Sequence, residues 1–277
     1  MSATAGASIW DRQRIGVTAG AVALIFLAAI ESLAVTTVMP VVSADLNGEA
    51  LFAVAFAGTL ATSVIGMVAA GAWSDARGPR GALYVAVSLF LAGLVISGIA
   101  TDMYVFLLGR LVQGLGTGGQ TVALYVVVAR LYPPHLHGRV FAAFAAAWVV
   151  PSMIGPFLAG AVAEFLHWRW AFLGVAMLTA IAFGTIAVRL RGVDLGAGDR
   201  GRGERVWRRL GLAVVVAAGA VLVGLTADFA DLRVAWLIAA LAIVVIAVAA
   251  RPLLPSGTLR ARRGLPSVVL MRGIVAG

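Results

Sequence analysis

Long apolar stretches alternate with short polar segments along the whole chain. Most stretches are close to or above the roughly twenty residues that a helix needs to cross a bilayer. Lipid offers no water to hydrogen-bond an open backbone, so we expect each stretch to be helical. The pattern predicts eight membrane-spanning helices, at residues 16–41, 50–73, 82–100, 103–128, 140–163, 170–188, 210–226 and 234–250, and a ninth that begins near Leu265.

Composition agrees with an all-α polytopic membrane protein. The 277 residues are 62% hydrophobic and 12% charged, with a mean hydropathy of +1.02, far more apolar than an ordinary soluble domain. The absence of cysteine from the sequence excludes disulfides and thiolate metal sites. A net charge of +9 suggests nucleic-acid binding in a soluble protein, but here the positions of the charges favour membrane topology and no nucleic-acid partner.

Arginine sets the predicted orientation, because all 21 basic residues are arginine. With a cytoplasmic N-terminus, the inner segments contain eighteen arginines and the outer segments two. Positively charged loops stay on the cytoplasmic side. We therefore expect a multi-pass protein of the cell (plasma) membrane with its N-terminus in the cytoplasm.

The longest loop divides the chain. Residues 1–188 would form a six-helix half, 189–209 a flexible cytoplasmic linker, 210–250 two further helices, and 251–277 a cytoplasmic loop with the start of a ninth helix. The linker arginines either bind anionic lipid headgroups or reflect ordinary positive-inside bias, and the bias is the simpler explanation.

Two opposite charges are predicted at similar membrane depth. Glu31 lies roughly 22 Å along the first helix from Gly16, which leaves it about 8 Å from the outer edge of the core. Arg110 lies roughly 10 Å below the outer end of the fourth helix. Transporters often contain inverted three-helix repeats, which would make the first and fourth helices equivalent. We hypothesise that Glu31 and Arg110 line one cavity and that Glu31 exchanges a proton; the alternative is a static ion pair or a neutral Glu31.

Polar residues continue from Arg110 along one face of the fourth helix. Gln113, Thr117 and Gln120 recur at helical spacing. They either line a substrate cavity or hydrogen-bond to a neighbouring helix. Gly114, Gly116 and Gly119 match G-x-G-x-x-G, but no strand precedes them, so we interpret them as helix packing and not as a dinucleotide site.

Two further segments carry small and polar residues. The turn after the second helix contains Gly71, Asp75, Gly78 and Arg80, and it is either a latch between helix ends or a simple polar turn. The fifth helix contains Gly155, Pro156 and Gly160. Proline should bend this helix, and the small residues form a packing stripe that packing alone explains.

Nothing in the sequence suggests an enzyme or a cofactor. His135 and His137, which we place in a loop after Pro133 and Pro134, are too few to bind a metal. The chain contains no Walker A sequence, and no arrangement of nucleophile and base that suggests an enzyme.

Together these motifs resemble the major facilitator superfamily. The turn from Gly71 to Arg80, the run from Arg110 to Gly116, and Gly155 to Gly160 resemble its signatures in the second-to-third turn, the fourth helix and the fifth helix. The segments 31–40 and 168–172, with two helices after the long loop, resemble the drug:proton antiporter group of the fourteen-helix branch.

This resemblance implies the N-terminal portion of a transporter that exports lipophilic or drug-like molecules in exchange for protons. Glu31 and Arg110 would carry proton coupling, and the partners would be a small-molecule substrate, protons and membrane lipid. We expect the chain to be truncated, because the family needs two six-helix halves. The alternatives are a non-transporting membrane protein or scaffold, or uptake of a small solute.

Overall fold

Eight α-helices account for most of the computed structural model, which describes residues 15–193, 195–196, 204–225 and 232–250. The helices are α1 (Ile15–Asp45), α2 (Phe52–Arg77), α3 (Pro79–Gly98), α4 (Met103–Leu131), α5 (Pro134–Phe165), α6 (Arg169–Leu190), α7 (Glu204–Leu225) and α8 (Leu232–Ala250). This confirms the all-α prediction. The predicted ninth helix lies outside the described residues, and so do residue 194 and residues 197–203 of the predicted linker.

The first six helices are long and apolar enough to cross a membrane. Within the described residues, α7 and α8 contain shorter apolar stretches, Leu210–Val223 and Trp236–Ala249. Six spans are therefore supported by length and composition, whereas the crossing of the membrane by α7 and α8 stays a prediction.

A capping aspartate and a glycine–proline turn mark three of the helix ends. The Asp102 carboxylate accepts hydrogen bonds from the backbone N–H groups of Tyr104 and Val105, at 2.9 and 3.0 Å, and so caps α4. Gly78 separates α2 from α3 with a φ of 86° and a ψ of 159°. Essentially only glycine adopts this region, and Pro79 then starts α3 with a φ already suited to a helix.

The fifth helix begins six residues earlier than predicted, at Pro134 instead of residue 140. A proline at the first helical position loses nothing, because its missing N–H would have no partner there. The loop prediction for His135 and His137 is therefore wrong, since both lie in the first turns of α5. The His137 ring Nε2 lies 2.7 Å from the Tyr132 carbonyl oxygen.

The packing of the first six helices has an internal symmetry. The α1 helix packs against α5 and α6, whereas α4 packs against α2 and α3, and α3 meets α6. This pattern is unchanged when α1–α3 are exchanged with α4–α6, as the predicted pair of three-helix repeats requires. The α7 helix lies on α2, and α8 lies on α7.

In this arrangement α1 and α4 face each other along one line, which we call the α1–α4 seam. Their backbones approach closely at only a few points. The hydrogen bonds between these two helices involve the polar side chains of Glu31, Arg110 and Gln120.

Candidate functional site: a buried ion pair at the α1–α4 seam

Glu31 of α1 and Arg110 of α4 meet at this seam. Only 3% of Glu31 and 4% of Arg110 is exposed. The Arg110 Nη1 donates to Glu31 Oε1 in a charge-assisted hydrogen bond. The structure therefore brings together the two charges that depth arithmetic places at one level, and it encloses them in protein.

Gln113 completes the contact. The Gln113 Oε1 accepts a second hydrogen bond from Arg110 Nη1, at 2.7 Å. Gln113 is fully buried. The Arg110 Nε and the Gln113 Nε2 are also buried and have no acceptor among the described residues. An unsatisfied buried donor costs about 1–3 kcal/mol, so this end of the seam favours a group that supplies an acceptor.

The other residues of the predicted polar face have different partners. Thr117 is half-buried, and its hydroxyl donates to the Gln113 carbonyl of its own helix, at 3.0 Å. Gln120 is fully buried, and its Nε2 donates to the backbone carbonyl of Leu24 in α1, at 3.3 Å. All three predicted residues thus contact protein groups in this structure, and a cavity role for them stays a prediction.

The glycines of α4 explain how that helix fits into the bundle. A Cβ at Gly114 or Gly118 would overlap the α2 backbone near Thr59 and Ser63. On another face, a Cβ at Gly116 would overlap the α3 backbone at Phe90. The G-x-G-x-x-G pattern therefore serves close packing between α2 and α3, as small residues do in membrane helices.

The turn between α2 and α3 is tied to the segment that follows α6. Arg80 Nη2 donates to the Val193 carbonyl. Arg130, which the sequence did not single out, donates from Nη1 to the Leu195 and Gly196 carbonyls, each at 3.0 Å, and from Nη2 to the Ser74 carbonyl at 3.2 Å. Arg80 and Arg130 thus join the α2–α3 turn, the end of α4 and the segment after α6.

The remaining residues of this motif have simpler surroundings. A Cβ at Gly71 would lie 3.7 Å from Val122 of α4, which is ordinary contact. Asp75 is half-buried and forms no ion pair with another described residue. The latch and the polar turn both remain open as interpretations of Asp75.

The three residues of the α5 motif have different surroundings. Gly155 is buried, and a Cβ there would lie 3.5 Å from Leu33 of α1. Pro156 is exposed, and a Cβ at Gly160 would meet no atom of the described residues within 4 Å. Gly155 is therefore the position of the three that lies against α1, at a distance where a Cβ would make ordinary contact.

A second polar cluster lies at the opposite end of the helices from the Arg130 contacts. Asp45, at the end of α1, accepts hydrogen bonds from Trp168 Nε1 at 2.9 Å and from Arg169 Nη1 at 3.3 Å. Arg169 Nη2 donates to the Ala100 carbonyl at 2.7 Å, and its guanidinium lies 4.3 Å from the Trp168 ring centroid. Sequence reasoning noted the Trp168–Phe172 motif but missed Asp45, which has no signal of its own in the sequence.

The described side chains at the seam can form ion pairs, form hydrogen bonds and exchange protons, but they are not placed to bind a metal ion. Among the described residues no group of three His, Cys, Asp or Glu side chains is placed to hold a metal ion. The seam offers one carboxylate, one guanidinium and two amides within a bundle of membrane-spanning length. Intramembrane ionisable residues commonly mark substrate or ion pathways.

Comparison with known proteins identifies the class. Helix order, length and a buried charged pair define a multi-pass helical membrane protein, and residues 21–210 match the family model of the Major Facilitator Superfamily. The match covers more than half of the chain. The chain therefore belongs to the Major Facilitator Superfamily, a family of transporters.

Relatives in sequence are transporters of fungi and bacteria. The chain is 31% identical over 186 residues to "MFS transporter L2" of a Phoma species, covering 62% of this chain and 31% of that protein. It is 28% identical over 148 residues to "Multidrug resistance protein 3" of Bacillus subtilis, covering 53% of this chain and 29% of that protein. These matches span less than a third of each relative's length.

Solved structures show the same fold. A peptide transporter crystallised with sulfate superposes with a TM-score of 0.57 at 17% identity, covering 91% of this chain and 55% of that one. A D-xylose–proton symporter superposes with a TM-score of 0.56 at 14% identity, covering 85% of this chain and 79% of that one. At these identities the likeness concerns the fold alone.

Proposed function

We propose that this chain is the N-terminal part of a transporter that exports lipophilic, drug-like molecules in exchange for protons, with Glu31 as the proton-exchanging group. The observation that carries the proposal is the enclosed Glu31–Arg110 ion pair between the two three-helix repeats. The similarity to a multidrug resistance protein of Bacillus subtilis supports the substrate class.

The pair suits a coupling role because each partner is costly to leave alone. Removing one partner of a buried ion pair typically costs about 3–5 kcal/mol. Separation of Arg110 from Glu31 therefore requires that another group replace one partner. A proton on Glu31 or a cation from the substrate does this at the carboxylate, and the two then compete for one site.

Gln113 makes that exchange easier. Its Oε1 already shares Arg110 Nη1 with Glu31, so the guanidinium keeps one hydrogen bond when the carboxylate is neutralised. Because the pair and Gln113 are enclosed, access for substrate requires the seam to open, as the rocking of repeats against each other in this kind of transporter allows.

The test is the export of a lipophilic fluorescent cation by the protein expressed from its own complete reading frame. Glu31→Gln keeps the size of the side chain but cannot exchange a proton. One side chain that transfers a proton typically changes a reaction rate by about 10²–10⁴-fold. We therefore expect export driven by the proton gradient to fall by at least about tenfold. Glu31→Asp is the matched control, because it keeps the carboxyl group and should retain part of the export.

Two results would contradict the proposal. Normal export by the Gln variant against a concentration gradient would show that proton coupling does not pass through Glu31. Accumulation of the substrate inside wild-type cells, driven by the same pH gradient, would instead indicate uptake.

A further inference from the structure

Within the described residues, three hydrogen-bonded links join α1 to α4 or to Tyr132, the residue that follows α4. From one end to the other they join Glu31 with Arg110, Leu24 with Gln120, and Thr18 with Tyr132, the last through hydroxyl groups 2.7 Å apart. The order along α4 is the reverse of the order along α1, as expected for antiparallel neighbours. Few backbone contacts support the seam between these links.

The middle link differs from the other two. Gln120 is fully buried, and its Nε2 donates to the Leu24 carbonyl, at 3.3 Å. That carbonyl is part of the α1 backbone, so the bond holds the helix itself and not a movable side chain. About two turns of α1 separate Leu24 from Glu31, and nearly three turns of α4 separate Gln120 from Arg110.

The glycines of α4 explain why a long side chain is needed at this position. Gly116, Gly118 and Gly119 hold α4 against α2 and α3, so α4 is fixed to that side of the bundle. On the opposite side α1 is fixed to α5 and α6. A glutamine amide spans the remaining gap and reaches a backbone acceptor.

We propose that Gln120 is a positioning residue for the Glu31–Arg110 pair, which it aligns by setting the axial register of α1 against α4. A slide by one residue moves α1 about 1.5 Å. Hydrogen bonds weaken steeply once donor and acceptor are displaced by that amount. The consequence for transport rests on the function proposed above, but the register itself does not.

The register is measurable because the sequence contains no cysteine. Spin labels attached to Thr36→Cys in α1 and Leu108→Cys in α4 report the seam near the ion pair, since both native residues are exposed. A second pair, Ala19→Cys and Ala129→Cys, reports the other end and is exposed too. The distance between the two labels of each pair is then measured by pulsed electron–electron double resonance on the full chain in lipid nanodiscs.

The variant is Gln120→Met, which keeps the length of the side chain but removes the amide donor. We expect the mean distance of at least one label pair to shift by about 1.5 Å, one residue's rise, while the distribution keeps its width. The matched control is Thr121→Val, because the Thr121 hydroxyl donates only within α4, to the Thr117 carbonyl at 2.8 Å; it should leave both distances unchanged.

A second variant guards against a folding defect. Gln120→Asn keeps the amide but is one methylene shorter, so it should produce the same shift if Gln120→Met does not fold. Unchanged distances in a folded Gln120 variant, or broadening without a shift of the mean, would overturn the positioning role. Failure of proton coupling in the Glu31→Gln transport assay would leave these distances unaffected, so the two proposals fail separately.

Discussion

Removing Arg110 alone should destabilise the protein more than removing both members of the ion pair. The change is Arg110→Met, which keeps a long unbranched side chain and deletes the charge. It leaves Glu31, only 3% exposed, without its cation, and it takes from Gln113 Oε1 the donor now 2.7 Å away. No other described residue forms an ion pair with Glu31.

The magnitude follows from these contacts. A buried charge that loses its partner costs about 3–5 kcal/mol, and the lost hydrogen bond to Gln113, which lies within α4, adds about 1 kcal/mol, as a typical intramolecular hydrogen bond does. Replacing both charges by apolar groups is often close to neutral. The double variant Glu31→Met with Arg110→Met should therefore be more stable than Arg110→Met, and the magnitude of the coupling energy should be at least about 3 kcal/mol.

The measurement is a double-mutant cycle of reversible unfolding in detergent–lipid bicelles, followed by tryptophan fluorescence; Trp168, a fully buried tryptophan, serves as a reporter. Arg139→Met is the matched control, because Arg139 is exposed on α5 and surface substitutions usually change stability by less than about 0.5 kcal/mol. Effects of the two single changes that add within about 0.5 kcal/mol would refute the reasoning, because independent sites behave in this way.

Two glycine positions give further predictions. Gly118→Ala should prevent α4 from packing closely against α2, because its methyl group would overlap the Ser63 carbonyl. We expect a lower melting temperature than for Gly160→Ala, where a Cβ would meet no atom of the described residues within 4 Å. Equal melting temperatures would contradict this packing. Gly78→Ala should cost about 1–3 kcal/mol in unfolding free energy, because its φ of 86° and ψ of 159° suit essentially glycine alone. Gly138→Ala, at a helical position with open space around it, is the control, and an equal loss in both would show that Gly78 is not strained.

Much of the fold was predictable because the bilayer imposes a single constraint. Apolar stretches of sufficient length predict helices, and all eight predicted helices are present in the described residues. The α5 helix starts six residues before the predicted position, at the point where Pro133 and Pro134 follow each other. The second proline in fact opens the helix.

The candidate site was predictable only where charge and depth act together. Glu31 and Arg110 stand out because ionisable groups are rare in apolar helices, and helix rise places them at one level. Arg130 and Asp45 carried no such signal. They lie at helix ends, where charged residues are ordinary, and only the packing shows that each joins several segments.

The amino-acid sequence by itself determined the helices, their expected orientation and the presence of two charges at similar depth, because hydropathy and helix rise act locally along the chain. The tertiary structure decided which helices touch. It showed that the glycines of α4 pack against α2 and α3, that Glu31 and Arg110 pair across the seam, and that Gln120 reaches α1. These contacts depend on how several helices pack at once, which no local pattern along one helix contains.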